Sequence, residues 1–170
     1  MIFKPYKIFN RITDIPIEWL IANGIKGLAL DADNTLSTHH SQTPLDGVPE
    51  WLNKAEQSGI KLMMVSNANK NRVTPFANKL GLEFTSLSCK PLPVGFIRAT
   101  RKMGLKRCEV AAIGDQIFTD IVGAKLAGVK PILLMPVKPE TGVSFKLRRN
   151  LEKPLIARYK RKGLMYEEVT

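Results

Sequence analysis

Long apolar runs are missing from this 170-residue sequence. The apolar-rich stretch from Ile2 to Ala22 is broken by Lys4, Lys7, Arg11, Asp14 and Glu18, so neither a membrane-spanning helix nor a signal-peptide core can be drawn there. Cysteine is scarce. Cys89 and Cys108 are the two in the chain and lack metal-ligand spacing, which excludes a disulfide scaffold. Both are expected to be small residues in or beside the core of a protein from a reducing cytoplasm. Histidine is limited to His39 and His40, which suit a solvated loop better than a metal site. No Walker-type glycine loop and no Gly-x-Gly-x-x-Gly after a strand is present, so nucleotide-driven chemistry lacks support. Repeats and low-complexity linkers are also absent, and the length suits one domain with a substantial core.

Acid is short as well, and unevenly so. The formal charge is +11, and residues 138–163 carry nine Lys or Arg against two Glu, which accounts for +7 of it. Such a basic segment selects an anionic partner, whether a lipid surface, nucleic acid or a phosphorylated substrate.

What the chain does have is Gly27-Leu28-Ala29-Leu30-Asp31-Ala32-Asp33-Asn34-Thr35-Leu36, an apolar run ending in two carboxylates one residue apart. A short apolar run of this kind reads as a buried parallel strand, and the C-terminal ends of such strands border the ligand crevice of open α/β sheets. Two carboxylates so close repel each other unless a cation neutralises them, and hard oxygen ligands beside a phosphate favour Mg²⁺. The competing reading is a surface turn, where Asp and Asn are common.

The rest of the pattern alternates. Pro16 opens a short helix through Trp19 and Leu20 that stops at Gly24, so residues 1–24 read as a clasp over the sheet edge. A helix over Asp46–Ser58 is followed by a strand over Ile60–Val65. Asn69 caps a helix with Val73, Phe76, Ala77 and Leu80 on one face, and Leu82–Thr85 is a short strand. Helices over Pro93–Met103 and Thr119–Ala127 alternate with strands over Val110–Ile113 and Pro131–Met135. This predicts an α/β fold with a doubly wound parallel sheet of about five strands over residues 25–137. Residues 138–170 form a basic amphipathic tail, expected to make two short helices separated at Pro154.

The other strands end in residues that complement the Asp pair: Ser66-Asn67, Cys89-Lys90-Pro91 ahead of the next helix, and Gly114-Asp115-Gln116 with Thr119-Asp120. On one rim these supply the carboxylates, hydroxyl and ammonium that phosphoryl transfer through an aspartyl phosphate requires. With all four motifs in order over residues 25 to 135, the sequence resembles the haloacid dehalogenase phosphohydrolase superfamily. Asp31-Ala32-Asp33-Asn34-Thr35 matches the first motif, Ser66 the second, Lys90 the third, and Gly114-Asp115 with Asp120 the fourth.

The resemblance implies roles. Asp31 is the nucleophile, and Asp33 protonates the leaving alkoxide and then activates water. Ser66 and the Asn67 backbone amide bind phosphoryl oxygens, and Lys90 offsets charge on the phosphate and on Asp31. Mg²⁺ is held by Asp31, Asp115 and the Asp33 carbonyl. Thr35 and Asp120 support these groups from behind, Asp120 by orienting Lys90 or a metal-bound water.

About 26 residues separate Thr35 from Leu62, and Asn67 to Cys89 just fits one helix and one strand, so no cap domain is expected over the site. In this the chain looks similar to the small capless subfamily IIIA phosphatases, including bacterial and mitochondrial phosphatidylglycerophosphate phosphatases. An open rim suits a phosphate on something large: a lipid headgroup, a protein, a nucleic-acid end or a partner-delivered substrate. The resemblance to the phosphatidylglycerophosphate phosphatases implies an anionic phospholipid among these, with nucleic acid less favoured. The basic tail agrees with peripheral contact at the inner face of a membrane. If the tail serves only that contact, a chain ending near Lys138 keeps its activity on soluble monoesters.

A phosphoacceptor receiver domain also uses carboxylates, a hydroxyl and a Lys, but its phosphorylated Asp stands alone after a middle strand. A non-catalytic adaptor would not need the acid at Asp33.

Overall fold

A computed structural model of the protein describes residues 1–38, 41–137 and 143–167. His39, His40 and the start of the tail at Lys138 lie outside them.

The elements, in chain order, are β1 (Lys7–Phe9), α1 (Ile17–Ala22), β2 (Gly27–Leu30), α2 (Val48–Gln57), β3 (Lys61–Val65), α3 (Lys70–Leu80), β4 (Glu83–Thr85), α4 (Val94–Met103), β5 (Val110–Gly114), α5 (Val122–Ala127), β6 (Lys130–Leu134) and α6 (Val143–Arg161). All strand pairs are parallel, in the order β1-β6-β5-β2-β3-β4. The expected doubly wound sheet is present with six strands. The additional strand is β1, whose three residues are too few to show a period of two in the sequence.

The central strands are apolar because both of their faces are covered. β2 and β5 are buried along their whole length. On one face Val48, Trp51, Leu52, Val73 and Phe76 of α2 and α3 pack on Leu28, Leu30 and Ile113. On the other, Phe96, Ala99, Met103, Ala124 and Ala127 of α4 and α5 cover Ala29, Met63 and Ala112. Burying a side chain of the Leu or Phe class contributes about 1.5–3 kcal/mol, so these two layers hold the sheet. The chain winds outward from β2 through β3 and β4 on one side and returns through β5 and β6 on the other. The direction of winding reverses at β2, which makes the C-terminal end of that strand the crevice of the sheet. The β2–β3 and β3–β4 connections each carry one helix among the described residues, so no cap domain covers this end.

Three expectations change. The tail forms one helix of 19 residues, α6, with Pro154 inside it. Proline costs about 3 kcal/mol in a helix interior, and here docking on both sides of it outweighs that cost. Glu152 is fully buried, and Tyr159 enters a third apolar cluster with Ile8, Ile117, Ile121 and Leu133. A chain cut near Lys138 would therefore lose part of the core, contrary to the expectation that the tail is dispensable for soluble substrates. Cys89 and Cys108 are exposed rather than packed in the core. Cys89 lies in the loop before Lys90, and Cys108 in a short turn ahead of β5.

Candidate active site

The sheet brings the sequence-predicted residues to one end. Asp31 follows β2 directly, and its N–H donates to Ile113 O at 2.9 Å, which extends the ladder to β5 by one residue. The chain then turns tightly, with Leu36 and Ser37 N–H both donating to Ala32 O at 3.1 Å. Asn34 occupies the left-handed region at φ 58°, a conformation that Asn tolerates better than most residues. Its amide and the Thr35 hydroxyl are buried without a partner among the described residues.

Ser66 follows β3, and its Oγ accepts from Ala68 N–H at 3.1 Å. The Asn67 side chain fastens the loop that carries Lys90: its Oδ1 accepts from Lys90 N–H at 2.7 Å, and its Nδ2 donates to Lys90 O at 3.1 Å. In that loop Leu87 and Cys89 both have positive φ, each at a steric cost of roughly 1–2 kcal/mol.

The Lys90 ammonium bridges two carboxylates. It donates to Asp31 Oδ1 and, at 2.7 Å, to Asp120 Oδ1. Asp120 Oδ2 accepts from Gln116 N–H at 3.1 Å, so the side chain is fixed at both oxygens. Asp115, at the end of β5, is fully buried. Its Oδ2 pairs with Arg149 of α6, while its Oδ1 has no partner among the described residues. Asp33 points to the other side, where Arg72 Nη2 of α3 donates to both of its oxygens at 2.9 and 3.0 Å. A pocket of about 280 Å³ opens over the group, lined by Asp31, Asp33, Ser66, Lys90, Gln116 and Arg148 among others.

Charge governs this cluster. Burial pushes the Asp31 carboxyl up to about 7, Asp120 and Asp33 push the same way, and Lys90 opposes them. Burial also lifts Asp115 well above the usual carboxylate range, with Arg149 opposing and Asp120 and Asp31 adding to the rise. Burial alone would lower the Lys90 ammonium, but Asp120 and Asp31 more than offset it and hold it raised. At Asp31 and Asp115 burial thus outweighs the cations that face them.

Residues 26–128 match the family of haloacid dehalogenase-like hydrolases. The chain is 35% identical over 167 residues to "Probable phosphatase YqeG" of Bacillus subtilis (strain 168), a match covering 98% of this chain and 97% of the relative. This chain belongs to the haloacid dehalogenase-like hydrolase family. Solved structures share the fold at low identity. An uncharacterised protein from Listeria monocytogenes serotype 4b superposes with a TM-score of 0.56 at 17% identity, covering 71% of this chain and 87% of the other. The cobalt-bound deoxy-D-mannose-octulosonate 8-phosphate phosphatase from Haemophilus influenzae superposes with a TM-score of 0.51 at 14% identity, covering 74% and 75% of the two chains.

Phosphatases of this family generally use a divalent metal, and the residues present fit one. Asp31, Asp115 and Asp120 each offer an oxygen within 4.8 Å of the others, and the unpartnered Asp115 Oδ1 is a buried acceptor that a cation would satisfy. The carboxylate of Asp33 is not in this group.

Sequence reasoning did not find Arg72, Arg149 or Glu152. A signal for the last two was present: Glu152 is a lone acid in the middle of a basic segment, three residues after an arginine.

Proposed function

We propose that this chain is a Mg²⁺-dependent phosphomonoesterase that works through an aspartyl phosphate on Asp31, with an anionic phospholipid phosphate of the phosphatidylglycerophosphate kind as its substrate. As a member of its family the chain is a phosphatase. The observation that carries the finer reading is the Lys90 bridge between Asp31 and Asp120 beside an Asp115 oxygen that lacks a partner.

In this reading a carboxylate oxygen of Asp31 attacks phosphorus and the bond to the leaving oxygen breaks, while Asp33 gives its proton to the departing alkoxide. Asp33, now a carboxylate, takes a proton from the water that attacks the acyl phosphate, which releases inorganic phosphate and restores Asp31. Arg72 donates to both Asp33 oxygens at rest, so before the acid step one of these oxygens must leave Arg72 and take up a proton from solvent. Ser66 Oγ and the Asn67 N–H bind the phosphoryl oxygens, and Lys90 offsets their charge. Mg²⁺ held by Asp31, Asp115 and the Asp33 carbonyl would supply further neutralisation of those oxygens.

The lipid part of the proposal has its own support. Without a cap, a phosphate on a bulky group can reach the rim. Leu87, Leu92 and Val94 are exposed in and just beyond the loop that carries Lys90, as are Leu147 and Leu151 beside the cations of α6. Exposed apolar residues among basic ones suit an anionic interface.

The test is a phosphate-release panel of phospholipid, sugar, nucleotide and peptide monoesters. EDTA and Asp31→Asn should each abolish turnover, and Asp33→Asn should slow it by about 10² to 10⁴. Phosphate release by Asp31→Asn at the wild-type rate would remove that residue as nucleophile. Preference for a soluble ester over every lipid would replace the substrate class and leave the chemistry in place.

A further inference from the structure

We infer that Arg149 and Glu152 of α6 are positioning residues for the metal site, holding Asp115 so that one of its oxygens remains turned out for a cation. This rests on the metal-dependent reading above. The Arg149 guanidinium grips Asp115 at both ends: Nη2 pairs with Asp115 Oδ2, and Nη1 donates to Asp115 O at 2.6 Å. The same Nη1 donates to Glu152 Oε2 at 3.0 Å, and Glu152 Oε1 accepts from Ile117 N–H at 2.7 Å and Phe118 N–H at 3.3 Å. These contacts close a ring from Asp115 through Arg149 and Glu152 to the π-helical turn over Ile117–Ile121, two residues beyond Asp115. Inside the ring, Gln116 donates its N–H to Asp120 and accepts from Arg148 Nη1 at 2.6 Å on its side-chain oxygen.

A carboxylate fixed at one oxygen and at its own main chain cannot swing. The oxygen left over, Oδ1, is the buried atom without a partner, and Asp115 shares the 4.8 Å cluster with Asp31 and Asp120. A pair that served only to dock a helix would have no reason to end on this atom group. Arg149 is 16% exposed and Glu152 fully buried, so the grip is made inside the protein, and groups that orient a metal ligand in this way tune its affinity. The basic tail thereby contributes to the site from which the sequence had separated it.

The test uses the full chain, freed of metal and titrated with Mn²⁺, with the free ion followed by its EPR signal. Arg149→Lys keeps the charge but cannot reproduce the fork. It is expected to weaken Mn²⁺ binding about 10- to 100-fold, with phosphate release from a soluble monoester recovering as the metal concentration rises. A purely structural role would lower stability and leave Mn²⁺ affinity in the folded protein unchanged. Glu152→Gln keeps the shape and the acceptor for Ile117, and should weaken binding severalfold. It decides the matter if Arg149→Lys does not fold. Wild-type Mn²⁺ affinity in a folded Arg149→Lys, or failing that in Glu152→Gln, overturns the inference and leaves the hydrolase reading standing. A wild-type protein that binds no Mn²⁺ would overturn both.

Discussion

In the proposed mechanism Asp31 is the nucleophile, and it lies in a place that disfavours its charge. Its carboxyl is pushed from 3.8 up to about 7, with burial as the largest cause. The folded protein thus holds this proton more tightly than the unfolded chain does, and stability falls as pH rises between about 4 and about 7, the full penalty remaining above that. In the absence of metal, Asp31→Asn should therefore be more stable than wild type at pH 8, by a few kcal/mol. The two should converge near pH 4, as urea denaturation at both pH values would show. A less stable Asp31→Asn at pH 8 would mean that the carboxylate's bond to Lys90 outweighs its burial. The same argument makes metal uptake proton-linked: cation binding should tighten as pH rises through about 7, because the ligand must first lose its proton. Gly114 carries a different kind of constraint. A Cβ there would lie 2.6 Å from Cβ and Oδ2 of Asp120, so Gly114→Ala must displace the residue that steers Lys90. Overpacking of this kind costs about 1–3 kcal/mol, and thermal unfolding should register it together with a fall in phosphate release.

At the scale of the element, the sequence was legible where local chemistry sets a boundary. Asn69 caps α3 as expected, its side chain accepting from Arg72 N–H at 3.0 Å, and the helices end at Gly81, Gly104 and Gly128. The four motifs could be placed because parallel strands that end on one side must bring their next residues together. α6 was not legible. Pro154 argues locally for a break, and only the burial of Glu152 before it and Tyr159 after it explains why the helix continues. For the same reason Arg72 and Arg149 were missed: each reaches the site from a helix whose docking is a property of the whole fold. α6 also presents Leu147 and Leu151 outward, at 61% and 56% exposure. Replacing both with Asp should weaken binding to anionic vesicles by at least about tenfold, since each buried Leu is worth about 1.5–3 kcal/mol. Activity on a soluble monoester should persist. Cosedimentation and two parallel assays would check this, and unchanged vesicle binding would limit α6 to its inward face.

Considered as a whole, the protein has its basic character concentrated in a helix that is also part of its interior. Removing residues 138–170 should uncover Ile8, Ile117, Ile121 and Leu133, which pack around Tyr159, and should take the partner of Asp115 away as well. We expect the shortened chain to unfold cooperatively at a lower temperature, or not to fold, and to lose activity on soluble and lipid phosphates alike. Circular dichroism and phosphate release would establish it, and full soluble activity would show the core to be complete without α6. The edge strand β1 gives the architecture an order in time. It pairs with β6 on one side, while on the other Ile8 N–H donates to Leu164 O at 2.9 Å and Ile8 O accepts from Tyr166 N–H at 2.8 Å. Residues 7–9 are made more than a hundred residues ahead of both of their neighbours. On the ribosome this strand must wait unpaired until those residues have been made, so the fold cannot close, and the hydrolase cannot begin to work, before then.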